Sequence, residues 1–157
     1  MNGYDHPCNK ECEFEIAPYE LIRGGIRATL FEEGEVGPQE IISVDNEWYV
    51  KVQWYLRGGL RRHLCGHFCL RVSFESIGKG KDRDFGPVEV EMEPCGDGRY
   101  EYVFKASEWP KLKAGDCGRL YHVGVSLTSK ACKKPGHIKG FCDVGTVMFT
   151  RSPHNDD

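Results

Sequence analysis

Apolar and polar residues alternate with a period of two along most of this chain. That period predicts strands, because successive strand side chains point to opposite faces, whereas a helix needs apolar residues at i, i+3, i+4 and i+7. The clearest run places Trp48, Val50, Val52 and Trp54 on one side and Lys51 and Gln53 on the other. In the next, Leu64, Phe68, Leu70, Val72 and Phe74 share one parity, while His63, Cys65, His67, Cys69, Arg71, Ser73 and Glu75 share the other. Val88, Val90 and Met92 then alternate with Glu89, Glu91 and Glu93, and Tyr100, Tyr102 and Phe104 with Glu101, Val103 and Lys105. Between these two runs, Cys95-Gly96-Asp97-Gly98 has hairpin-turn chemistry. Tyr121, Val123, Val125 and Leu127 form another run and residues 144–150 a last one, and the Lys-Pro-Gly-rich stretch between them reads as the connection of a long hairpin. Residues 13–17 and 26–31 add two further strands. The one helical candidate, 106–112, is broken by Pro110.

Seven or eight short strands at fairly even spacing predict an all-β fold, an antiparallel two-sheet sandwich. An immunoglobulin-like arrangement with Greek-key connections is preferred over a small closed β-barrel, because Trp48 and Trp54 offer two buried anchors on one strand. The stretch Asp116, Gly118, Tyr121 resembles a tyrosine corner, in which a Tyr hydroxyl bonds back to the upstream backbone. Antibody domains carry a cysteine two residues after that Tyr. Val123 stands there in this chain, so no inter-sheet disulfide of that kind follows. A length of 157 residues predicts one domain over 13–150, with an N-terminal arm (1–12) and a C-terminal tail (151–157). A chain of this size buries roughly two-thirds of its unfolded surface, so its core needs no staples.

The eight cysteines therefore call for a chemical reading. Cys132 and Cys142 flank residues 133–141 and are the leading disulfide pair, facing each other across the base of the late hairpin. No disulfide is expected in a reducing cytosol, and the first ten residues lack the apolar stretch of a signal peptide, so the expected compartment is cytoplasmic. The alternative use is metal. His63, Cys65, His67 and Cys69 lie on one parity, where adjacent members stand ~7 Å apart and can share an ion, with Cys8, Cys12 and His6 of the arm as lenders of further ligands. Both cysteine pairs have the C-x3-C spacing found in structural zinc sites. Without such an assembly these are solvent-facing side chains that bind nothing, and no cofactor is expected. Cys95 and Cys117 have no surrounding His or carboxylate constellation.

Charge narrows the function classes. Residues 1–47 hold eleven acids and three bases, residues 57–83 seven bases and two acids, and the whole chain is −3. Arg57, Arg61, Arg62 and Arg71, with Lys133 and Lys134 of the late hairpin, form a basic binding surface if the fold joins them. Nucleic acid is not expected, since no aromatic residue interrupts the arginines of 57–62 to stack bases. No apolar run reaches the ~20 residues of a membrane-spanning helix. Neither a G-x-S-x-G elbow, a P-loop nor an H-E-x-x-H motif is present. The expected function is a non-catalytic interaction module that binds a protein partner or self-associates through charge-complementary faces. A zinc-stabilised module and a thiol-based redox or transfer enzyme, using a Cys near His63 and His67, are the alternatives.

Overall fold

In a computed structural model of the chain, which describes residues 12–13, 22–34, 37, 40–78, 80–108, 119–131 and 134–150, the period-two runs are strands. They are β1 (Cys12–Glu13), β2 (Arg23–Glu32), β3 (Ile41–Ser43), β4 (Trp48–Arg57), β5 (His67–Ile77), β6 (Arg83–Glu91), β7 (Arg99–Lys105), β8 (Leu120–Ala131) and β9 (Lys134–Thr150). In β4, burial alternates residue by residue from Trp48 to Leu56, as the sequence pattern requires. Among the described residues the only helical elements are two short 3-10 turns, Gly59–His63 and Ala106–Glu108. The second covers the start of the expected helix, and 109–118 lie outside the described residues.

The strands form two sheets, one of four in the order β1-β2-β4-β7 and one of five in the order β3-β9-β8-β5-β6. All pairings are antiparallel except β3 with β9, which is parallel. The protein is thus all-β, with its core between two sheets, one of which curls into a half-barrel. The core is aromatic at both ends of β4. Trp48 packs against Phe149 at 5.2 Å and against Phe74 and Phe85 at 5.6 Å, while Trp54 packs against Phe68 at 5.5 Å and Tyr100 at 5.6 Å. Such ring pairs each contribute about 0.5–1.5 kcal/mol beyond their buried area.

Three expectations are corrected. Cys95-Gly96-Asp97-Gly98 does not close a hairpin, because β6 pairs with β5 and β7 with β4, so the turn carries the chain from one sheet to the other. The Arg61 guanidinium donates to the Gly96 carbonyl, and the Leu56 amide donates to Gly98 at 2.9 Å, which fixes this crossing. The Lys-Pro-Gly-rich stretch is not a loop. Its residues are the first half of β9, with Lys134 opposite Ala131, Lys139 opposite Thr128 and Gly140 opposite Leu127. Where that ladder shifts register, the buried Ser129 hydroxyl accepts the Ile138 amide at 3.1 Å. Finally, β5 begins at His67, so His63 ends a 3-10 turn instead of occupying the strand.

Candidate functional site

The proposed His/Cys ladder is divided by Gly66. This residue sits at φ +121°, and a Cβ on it would collide with the Lys130 carbonyl oxygen of the neighbouring strand. Only glycine permits that close approach. Upstream of the kink, His63 and Cys65 are exposed outside the strand. Downstream, His67 is exposed and Cys69 half-buried on the outer face of β5. Cys12 lies in β1, in the other sheet, opposite Ile26, and His6 and Cys8 lie outside the described residues. Among the described residues, no three His, Cys, Asp or Glu side chains stand close enough to hold one ion.

The outer-face neighbours of His67 and Cys69 are charged. His67 faces Glu91 and Lys130 across the sheet, and Cys69 faces Glu89 and Thr128. Lys130 Nζ lies 3.3 Å from Glu89. Cys142 is buried on the inward face of β9, with Val125 opposite it. Because residues 134–141 are strand, the ground for pairing Cys132 with Cys142 across a hairpin base falls away; Cys132 itself lies outside the described residues.

The basic residues are dispersed rather than gathered. Arg57 ends β4 with its guanidinium 4.8 Å above the Tyr55 ring, and Arg61 is turned inward to Gly96. Arg62 is exposed on the 3-10 turn, and Arg71 lies on the outer face of β5, 4.0 Å from Asp84. Lys134 opens β9 opposite Ala131, with β8 between it and the start of β5, while Lys133 lies outside the described residues.

The five-stranded sheet also carries an apolar surface that turns outward. On the outer face of the five-stranded sheet, Ile41 pairs with Met148, Met148 with Leu120, and Leu120 with Ile77. These four form one apolar row across four strands. Ile41 is 56% exposed, Ile77 50% and Leu120 41%. Further along, Phe141, at 58% exposed, leans over Gly124, where a Cβ would meet the ring at 2.8 Å. Between row and ring, His122 Nε2 lies 3.1 Å from Asp143. The signal was apolar side chains on the solvent parity: Leu120 precedes the inward Tyr121, and Ile41 precedes the inward Ile42.

A scan against protein-family models finds no match, and a search of curated proteins returns no significant relative. No helix among the described residues is long and apolar enough to cross a membrane.

Proposed function

We propose that this protein is a non-catalytic β-sandwich interaction module, immunoglobulin-like in its layout, that self-associates through the outer face of the five-stranded sheet. The observation that carries this reading is the row Ile41–Met148–Leu120–Ile77, exposed at Ile41, Leu120 and Ile77 and half-buried at Met148. Large apolar side chains aligned across four strands are the mark of an interaction surface, while scattered ones are ordinary. A second copy fits this face better than an unrelated partner because the row is self-complementary. A two-fold axis along the strands, between β8 and β9, sets Ile41 over Ile77 of the second copy and Met148 over Leu120.

The same operation lays Phe141 over Ser126, its direct cross-strand neighbour, with Gly124 and Thr128 to either side along β8 and Arg71 beside it on β5. Five strands at ~4.8 Å spacing and about ten residues at ~3.3 Å give a face of roughly 600 Å² in projection, comparable to the ~800 Å² each partner contributes to a standard interface. Charge contributes less here, because Arg71 with Asp84 and Lys130 with Glu89 are already neighbours within one molecule.

Sedimentation velocity over a wide concentration range tests the proposal. The mass should rise with concentration, persist at high salt, and return to that of a monomer in Leu120→Lys and Ile77→Lys, both at exposed positions that tolerate lysine. A wild-type protein that stays monomeric throughout, or a dimer indifferent to both lysines, overturns it.

A further inference from the structure

The outer face of the four-stranded sheet combines residues that no single stretch of sequence brings together. Its cross-strand rows run Phe31–Tyr49–Lys105, Thr29–Lys51–Val103, Arg27–Gln53–Glu101, Gly25–Tyr55–Arg99 and Arg23–Arg57. Over β2, β4 and β7 this face carries Arg23, Arg27, Lys51, Arg57, Arg99 and Lys105 against one acid, Glu101. That acid is engaged by Gln53 at 3.2 Å and Lys51 at 3.8 Å.

Three rings lie among these cations. Phe31 and Tyr49 stack at 5.3 Å with 23° between their planes, and the Arg57 guanidinium rests 4.8 Å above Tyr55. The β2 side of the face is closed, since Gly25, Arg27 and Thr29 are buried. The open part is therefore a strip along β4 and β7, two strands wide and, from Tyr49 to Arg57, about 26 Å long.

We propose that this strip binds single-stranded nucleic acid. One extended chain fits a strip two strands wide. Arg57, Arg99 and Lys105, all exposed, and the half-buried Lys51 lie along it in reach of successive phosphates. Tyr49 and the Arg57–Tyr55 pair supply flat groups on which bases stack. An acidic polypeptide would use the same cations but has no use for the rings, so the rings favour nucleic acid. The arginines of 57–62 have no aromatic among them in sequence; the register of β4 with β2 and β7 supplies what the linear stretch lacks. The proposal is independent of self-association, because the two sheets turn opposite faces outward.

The test is fluorescence anisotropy of labelled oligothymidylate with the full chain, with polyglutamate and a blunt DNA duplex as competitors. Binding should weaken with salt along a log–log slope of about −2 to −3, the value for three or four phosphate contacts on a single strand. Tyr55→Leu should weaken it roughly tenfold by removing a stacking group. Arg57→Gln, at an exposed position where folding is not at issue, should lower the slope by about 0.7. Leu120→Lys, on the opposite sheet, should leave binding unchanged. Absence of binding at low salt overturns the proposal. So does a duplex that competes as well as the single strand. Displacement by polyglutamate together with an indifferent Tyr55→Leu reassigns the strip to an acidic peptide and equally refutes the proposal.

Discussion

Replacing Gly66 by alanine should be the most damaging single methyl addition among the glycines described above. The backbone there holds φ +121°, which an L residue adopts only at a strain of about 1–3 kcal/mol. The new Cβ would also lie on the Lys130 carbonyl oxygen, a backbone atom that cannot swing aside as a side chain does. Relief requires parting the His67–Lys130 end of the β5–β8 ladder, and each hydrogen bond lost there costs about 0.5–1.5 kcal/mol. The total is about 2–5 kcal/mol. Two controls separate the contributions. Gly145 has φ +114° and nothing within 4 Å of an added Cβ, so Gly145→Ala carries the strain alone. At Gly124 the obstacle is the Phe141 ring, the far end of an exposed side chain, so Gly124→Ala should change stability by less than about 1 kcal/mol. Urea denaturation of the three variants, with unchanged m-values, measures the order. If Gly66→Ala loses no more than Gly145→Ala, the close approach of β5 and β8 is not what this geometry implies.

Three further outcomes are expected. Ser129→Ala leaves the Ile138 amide without its acceptor in a buried site and should cost about 1–3 kcal/mol in the same assay, against near neutrality for Ser129→Thr if its hydroxyl keeps the bond. Burial first, and the charge of Glu108 second, hold the Tyr102 phenol above the ordinary tyrosine value of 10.0. The folded state then keeps that proton more tightly than the unfolded chain, so the contribution is complete below pH 10 and is lost as pH rises through the folded value. Tyr102→Phe should flatten the alkaline limb of stability against pH, and an unchanged limb refutes the assignment. Native alkylation followed by peptide mass spectrometry should label the exposed Cys65 and Cys95 first and Cys69 more slowly, with Cys142 reached only on unfolding. Early labelling of Cys142 would contradict its place in the core.

The sequence made the strands legible because the pleat ties side-chain parity to burial. β4 shows this residue by residue, and the two tryptophans it was expected to bury are buried. Partner choice was illegible for the opposite reason. A Cys-Gly-Asp-Gly turn serves a hairpin or a crossing between sheets equally well, and which one forms is decided by distant residues such as Arg61 and Leu56. The first half of β9 was hidden by its composition, since Lys, Pro, Gly and His have little strand propensity and are held by the ladder to β8. For the His/Cys candidates, the parity of His67 and Cys69 was readable, whereas the division at Gly66 depends on a neighbouring carbonyl that no local pattern announces. Both proposed surfaces are cross-strand rows. Each draws its members from three or four strands far apart in the chain, so each becomes visible only once the register is known.

The parallel pairing of β3 with the end of β9 has a consequence for biosynthesis. Ile41 and Ile42 are made more than a hundred residues before their neighbours Met148 and Phe149, and hydrogen bonds from the Met148 amide to the Glu40 carbonyl and from the Val44 amide to the Thr150 carbonyl, each 2.8 Å, extend the clamp in both directions. Ile42 is fully enclosed in the finished molecule, so a nascent chain stalled short of these residues must keep that side chain in water. Closure of so long a chain segment places the protein among slow-folding, non-local topologies. Its completion waits until residues 148–150 have been made, and a chain cut before Met148 should be a species exposed to chaperones and proteases rather than a smaller stable fold.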